Sequence, residues 1–254
     1  MKKFIYMFCI VCIVLVSFNI AHAFTMELPE KIGVDIDKVW TVEFNQPIDV
    51  TSLDGSIYIA DVNGLKLSNY NVEINPENGL QVLVSPKTKW NEGTSYWLVL
   101  EKGIGSIGGN NLVIKTKMKF TTLRRGQWRI ELEWGELPYD LDLQLYVKTL
   151  QKHYHFVHST NPVVEGVAKL DVDVVTGYGI ETLVIESVVS HNLYTIVVKQ
   201  NTYEVAMGES DAVVRFYNID GLQLERHVPK QLYPDLWGVA QFREGQLVPI
   251  RITY

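Results

Sequence analysis

Apolar and polar residues alternate along most of this 254-residue chain, which is the pattern of strands with one buried and one solvated face. Trp40, Val42 and Phe44, for example, fall on one face of such a segment, and the polar residues between them fall on the other. Turn-forming pairs separate the segments: Asp54-Gly55, Asn63-Gly64, Asn78-Gly79, Glu92-Gly93 and Asn110-Asn111. Short strands at this spacing predict a β-sandwich.

The chain is long enough for two such sandwiches, and no window of helix length keeps a period of 3.6 residues. Folds that need crossover helices are therefore excluded, and the predicted class is all-β. One alternating segment ends with Met118 and Phe120, and another begins at Trp128. We expect the boundary at Leu123 to Gly126, with one β-sandwich over residues 24–123 and a second antiparallel sandwich over residues 124–254.

Residues 1–23 have the features of a secretory signal peptide. Lys2 and Lys3 precede an apolar run from Phe4 to Ile20, and Ala21-His22-Ala23 fits the small-residue cleavage pattern. The run is also long enough to stay uncleaved as an anchor, and both interpretations are kept. No later apolar stretch could span a bilayer, so the expected location is secreted, at the cell surface or periplasmic. Both cysteines lie within this run, so disulfides are excluded from a cleaved chain.

The charge of the chain excludes several classes of partner. The full sequence has 23 basic and 29 acidic residues. Removing Lys2 and Lys3 with the signal leaves 21 basic residues and a net charge of −8, and residues 126–254 contribute 10 basic and 17 acidic residues to that balance. A chain this acidic does not attract nucleic acid or an anionic membrane surface.

The first predicted domain resembles the bacterial Ig-like domain found in S-layer and other surface proteins. The segments that carry the resemblance are Trp40–Asn45, Gln46–Asp49, Leu80–Pro86, Tyr96–Leu100 and Met118–Thr122. The resemblance spans about residues 30–122. It implies a module for spacing, display or assembly, with no catalytic residues to carry over.

The second predicted domain resembles the YfaP-like family of exported bacterial domains, over about residues 126–252. The segments that carry the resemblance are Trp134–Leu145, Leu170–Asp173 and Gly177–Thr182. The family pattern has a histidine where this chain has Gln144 and a proline where it has Ile180. The resemblance implies a sandwich fold, while the family's function is largely unassigned.

Two Asp-x-Asp pairs in the acidic second domain form the candidate metal site. Asp140 and Asp142 share one face of an alternating strand, and Asp171 and Asp173 repeat the arrangement before the Gly177–Gly179 turn. If the two pairs meet with Glu181 nearby, these five carboxyl groups offer the hard oxygen ligands that calcium prefers. The alternatives are a solvated strand face that discourages edge pairing, and a glycosidase carboxyl pair.

Other motifs have simpler interpretations. His153, His155 and His158 could bind zinc or copper only with a further ligand, and they are expected to be a polar strand face. Gly103-Ile-Gly105-Ser-Ile-Gly108 matches G-x-G-x-x-G, but a strand follows instead of the helix that a pyrophosphate needs. Most tryptophans are expected in the cores, with Trp90 and Trp237 as the better surface candidates because each is close to turn-forming residues.

Together these features predict an exported binding or assembly protein without catalytic activity, stabilised by calcium as the one possible cofactor. The sequence has no G-x-S-x-G, H-E-x-x-H or phosphate-loop motif. Its expected partner is an envelope protein or a glycan, which the sequence does not specify. The alternative function is a carbohydrate-binding or carbohydrate-hydrolysing envelope protein that uses the acidic cluster.

Overall fold

The protein is all-β in a computed structural model that describes residues 10–13, 25–231 and 235–250, which confirms the predicted fold class. The chain divides into two compact units, Met1–Thr122 and Leu123–Tyr254. None of the helical segments in the described ranges has the length and apolar character needed to cross a bilayer. Most of the predicted signal peptide, residues 1–23, lies outside the described residues.

The first unit consists of two four-stranded sheets. Its strands are β1 (Ile10–Ile13), β2 (Thr25–Val34), β3 (Trp40–Phe44), β4 (Ile57–Asp61), β5 (Tyr70–Ile74), β6 (Gln81–Pro86), β7 (Ser95–Leu100) and β8 (Lys115–Thr122). The sheets have the orders β1-β3-β6-β5 and β2-β8-β7-β4. Strand β1 pairs with β3, and β2 with β8, in parallel; the other pairs are antiparallel.

The alternation predicted for the first unit places its aromatic rings in the core. Along β8 every second side chain is buried, including Met118 and Phe120. The rings of Trp40 and Phe120 lie 4.9 Å apart. Trp90 is also buried among these rings, and its indole N–H donates to the carbonyl of Lys38. The prediction that Trp90 is a surface residue is therefore wrong, since a ring beside a turn can still point inward.

The glycine-rich segment of the first unit connects strands, as predicted. Gly105 and Asn111 form an isolated antiparallel bridge. The amide of Gly103 donates to the carbonyl of Leu112, and the amide of Leu112 donates to the carbonyl of Ile104. This segment is therefore a hairpin-like loop, and no helix begins at its last glycine.

The described residues of the second unit form a five-stranded and a six-stranded sheet, and all strand pairs among them are antiparallel. Its strands are β9 (Trp128–Glu133), β10 (Leu141–Lys148), β11 (Tyr154–Val157), β12 (Val163–Val164), β13 (Ala168–Leu170), β14 (Ile180–Ile185), β15 (Leu193–Gln200), β16 (Val213–Asn218), β17 (Gly221–His227), β18 (Leu236–Arg243) and β19 (Gln246–Pro249). The sheet orders are β11-β10-β15-β18-β19 and β12-β13-β14-β9-β16-β17.

Strand β10 differs from a simple half-buried strand. Leu141, Leu143 and Leu145 enter the core as the alternation predicts, but Asp142 and Gln144 on the opposite face are buried too. The polar face of this strand is therefore covered. Burial of the Asp142 carboxylate in this face costs free energy. Trp237 on β18 is fully buried as well, so its prediction as a surface residue is wrong.

Two glycines fix the loop between β13 and β14 against the segment that precedes β10. A Cβ atom on Gly179 would overlap the indole ring of Trp134, and one on Gly177 would overlap the carbonyl of Glu136. The Trp134 ring is itself fixed, because its Nε1 donates to the carbonyl of Pro138 at 3.0 Å. Only glycine allows the backbone to approach this closely. The two glycines therefore fix the position of the β13–β14 loop relative to the segment that precedes β10.

We expect Gly179→Ala to lower the free energy of unfolding by about 1–3 kcal/mol, because the added methyl group has no space beside Trp134. Gly79→Ala is the control, since nothing lies within 4 Å of its Cβ position, and it should change stability by less than about 0.5 kcal/mol. Calorimetry of the full chain measures both changes. Equal effects of the two substitutions would contradict the packing argument.

Candidate metal centre

Three aspartates from two separate segments converge at one end of the second unit. Asp140 immediately precedes β10, Asp142 is the second residue of that strand, and Asp173 lies in the loop between β13 and β14. Each offers one carboxylate oxygen, and these oxygens all lie within 4.8 Å of one another. Within the described ranges this is the single group of three or more metal-ligating side chains that meets this spacing.

Asp140 is held in place by the segment that follows β15. Its Oδ1 accepts a hydrogen bond from Asn201 Nδ2 at 3.0 Å, and its backbone amide donates to Thr202 Oγ1 at 3.1 Å. The amide of Asn201 in turn donates to the carbonyl of Asp140. Partial burial raises the pKa of Asp140, and the nearby charge of Asp142 adds to this shift while the Asn201 bond opposes it.

Asp142 is the buried member of the group, with only 4% of the residue exposed. Its Oδ2 has two long contacts, with Gln144 Nε2 and Ser159 Oγ, both at 3.4 Å. Its Oδ1 is buried and accepts no hydrogen bond. A buried carboxylate oxygen without a donor is destabilising unless a cation or proton compensates it.

Asp173 is the exposed member of the group. Desolvation raises its pKa, and the charges of Asp142 and Asp140 raise it further. Three like charges this close together repel one another. The mutual repulsion would be relieved by a divalent cation between the three carboxylates.

Asp171 lies outside this group and has a local structural role. Its Oδ1 accepts hydrogen bonds from the amides of Val172 at 2.7 Å and Thr182 at 2.8 Å. Its own amide donates to the carbonyl of Thr182. These bonds close the end of the β13–β14 pair, so the second Asp-x-Asp motif contributes Asp173 to the group and Asp171 to the fold.

Glu181 lies behind the group, where its carboxyl joins two backbone segments. Its Oε2 accepts from the amide of Leu143 at 2.8 Å, and its Oε1 accepts from the amide of Val174 at 3.2 Å. The side chain is fully buried, which raises its pKa from 4.5 to about 9 despite these two bonds. The charges of Asp142 and Asp173 raise the pKa further. Glu181, which was predicted as a ligand, lies outside the group of three aspartates, and each of its oxygens accepts one backbone hydrogen bond.

The predicted histidine alternative forms no metal group in the described part of the chain. His158 stacks on Phe156 with ring centroids 4.1 Å apart, and Phe156 stacks on Tyr146 at 4.3 Å. His153 is exposed and His155 half-buried. The strand face that was predicted as polar therefore carries a row of stacked rings beside β10.

The supporting residues of the centre were not found from the sequence. Asn201, Thr202 and Ser159 contact the aspartates from segments that are distant along the chain. The pairing of β10 with β15 places Asn201 beside Asp140, and this pairing is seen in the structure and not in the sequence. Spacing along one strand does not reveal a neighbour on another.

Three hard oxygen ligands suit calcium, which takes six to eight oxygens in flexible geometry. Asp140 and Asp142 approach from the strand and Asp173 from the loop, so bound calcium would cross-link the two segments. Water, backbone carbonyls or a ligand's oxygens would complete the coordination. The residues present therefore fit a calcium ion chemically.

Comparison with known proteins gives a match to a family model and to solved structures that include two S-layer protein structures. The family model of bacterial Ig-like domains matches residues 23–122. The N-terminal part of the bacterial S-layer protein SbsC is similar at 17% identity and a TM-score of 0.30, covering 72% of this chain and 42% of that one. The S-layer protein rSbsC is similar at 15% identity and a TM-score of 0.30, covering 79% and 31%.

The chain thus spans less than half the length of either S-layer structure. No curated protein matches it. The family match covers the first unit, where the two observed sheets are those that an Ig-like resemblance implies. The similarity to bacterial Ig-like domains therefore holds for residues 23–122, which are less than half of the chain.

Proposed function

We propose that this is an exported bacterial protein that acts by binding or assembly, without catalytic activity, and that its second unit binds calcium through Asp140, Asp142 and Asp173. The observation that carries the proposal is the convergence of these three carboxylates, together with the burial of Asp142, which has one oxygen that accepts no hydrogen bond. A calcium ion would compensate that oxygen and link β10 to the β13–β14 loop.

A location at the cell surface or in the periplasm is supported by the Ig-like match over residues 23–122 and by the signal-like residues 1–23. The YfaP-like resemblance of the second unit supports an exported domain as well. We propose an envelope protein or a glycan as the partner. The acidic balance of residues 126–254 argues against a nucleic acid.

The carboxyl chemistry argues against a glycoside hydrolase. Such an enzyme needs a carboxyl group with a raised pKa that can reach the glycosidic oxygen. Glu181 has a raised pKa, but it is fully buried and both of its oxygens accept backbone hydrogen bonds. Asp140 and Asp173 also have raised pKa values and are more accessible, but their oxygens lie within 4.8 Å of each other and of Asp142. That spacing is closer than the about 5–5.5 Å of a retaining carboxyl pair. Asp142 is also inaccessible to a sugar. A binding role fits this arrangement better than hydrolysis.

Calcium should raise the melting temperature of the second unit, because a ligand that binds only the folded state stabilises it. At 10 mM calcium and a dissociation constant of about 1 mM, typical of extracellular sites, the gain is about 1.4 kcal/mol. For a domain of this size the gain corresponds to about 3–5 °C. Calorimetry of the full chain with calcium and with chelator measures the shift. The unfolding transition that Gly179→Ala moves is the transition of the second unit, so it shows which melting temperature to compare.

Asp142→Asn should abolish that shift while leaving the chelated protein at least as stable, because it removes the uncompensated buried charge. Asp220→Asn, in the exposed turn between β16 and β17, is the matched control and should keep the full response. No calcium shift in the unmodified protein, or an unchanged shift in Asp142→Asn, would overturn the calcium proposal.

The stability of the metal-free protein should fall as the pH rises from 7 to 9. Because the folded pKa of Glu181 is about 9 and its ordinary value is 4.5, unfolding releases a proton in this range. The slope approaches about 1.4 kcal/mol per pH unit for one proton. Urea unfolding in chelator measures it, and Glu181→Gln should flatten the slope. A slope that persists in this variant would assign the proton to another group.

A further inference from the structure

Three loops meet around the three aspartates at one end of the second unit. They are residues 134–140, 171–179 and 201–206. The amide of Gly177 donates to the carbonyl of Tyr139 at 2.8 Å, and the amide of Tyr178 donates to the carbonyl of Gly135 at 2.6 Å. The third loop joins them through the bond from Asn201 to Asp140. Hydrogen bonds therefore connect all three loops, which together form the loop end of the second unit.

Each loop presents one exposed tyrosine. Tyr139 is 46% exposed, Tyr178 is 74% exposed and Tyr203 is 69% exposed. Tyr139 is adjacent to Asp140 in the chain, and Tyr203 is adjacent to Glu204, whose Oε2 accepts from the amide of Tyr139. Exposed rings grouped on loops are more characteristic of ligand contact than of packing.

The backbone of Tyr178 also points to a role outside the core. Its φ angle is +47°, a left-handed conformation that is costly for a bulky residue. Its neighbours Gly177 and Gly179 are packed against Glu136 and Trp134, so the turn fixes Tyr178 in this conformation. Its hydroxyl donates to Glu136 Oε2 at 3.3 Å, which orients the exposed ring.

The stacked rings of Tyr146, Phe156 and His158 are a poorer platform for a flat ligand. Their centroid separations of 4.3 and 4.1 Å and interplanar angles of 15° and 21° show that the rings cover one another's faces. A sugar ring stacks on an aromatic face, so the loop tyrosines are better placed to receive it.

The charge around the cation selects among ligand types. Three carboxylates and one calcium ion leave a net charge of −1, and the exposed Glu136 and Glu204 add to it. Lys199 opposite Asp142 offsets one of these charges, so the surroundings stay negative. An anionic ligand is therefore disfavoured. Hydroxyl oxygens are neutral hard ligands that can fill the open calcium positions, and the apolar face of a pyranose can contact a tyrosine ring.

We propose that the loop end binds a neutral glycan, with sugar hydroxyls on the calcium ion and the sugar face on Tyr178 and its neighbours. This proposal rests on the calcium site proposed above and names the ligand class of that site. A basic peptide is the competing occupant, but it would compete with calcium for the same carboxylates, so calcium would weaken its binding.

The test is biolayer interferometry of the full chain on immobilised mannan, galactan, β-glucan and chitin oligomers, in 5 mM calcium or in chelator, with polylysine and dextran sulfate as comparison surfaces. Binding to at least one neutral glycan is expected in calcium only. Tyr178→Ala should weaken it about tenfold, the scale of an aromatic hot spot. Tyr154→Ala on β11 is the matched control at 71% exposure, and it should not change binding.

Absence of binding to all four neutral glycans would overturn this proposal, as would binding that persists in chelator or is unaffected by Tyr178→Ala. Polylysine binding that calcium weakens would replace the glycan with a basic partner. If calcium raises the melting temperature but no neutral glycan binds, the calcium site stands and only the ligand class is wrong. If calcium gives no thermal shift, the calcium proposal fails, and the glycan proposal that rests on it fails as well.

Discussion

The buried carboxyl of Glu181 is the interaction on which the candidate metal centre depends. It accepts one hydrogen bond from β10 and one from the loop that carries Asp173, so it fixes the distance between the two segments that supply the aspartates. Both donors are backbone amides, whose positions do not depend on side-chain rotamers. The centre is therefore positioned by the fold, and the aspartates need no long flexible side chains to meet.

Much of the fold follows from period-two alternation, whereas only part of the centre does. Alternation places Leu141 and Leu143 in the core and Asp142 on the other face, as observed. It cannot show that the opposite face is covered too, because the covering groups come from elsewhere in the chain. The same limit explains Trp90 and Trp237, whose turn-side positions suggested exposure although both rings are buried.

The two Asp-x-Asp pairs show why equal motifs need not have equal roles. Asp142 lies within a regular strand and Asp140 just before it, so the first pair stays together at one strand end. The second pair begins where β13 ends, and there Asp171 satisfies amides at the strand terminus while Asp173 extends into the loop. The difference arises from the strand boundary, which the spacing of acidic residues does not encode.

The parallel pairing of β2 with β8 in the first unit has a mechanical consequence. These are the first and last long strands of that unit, and they pair from Thr25 with Lys115 to Val34 with Thr122. Tension applied to the two ends of the unit would pull the strands in opposite directions along their length. Their hydrogen bonds would then be loaded in shear and would share the force, instead of breaking one after another.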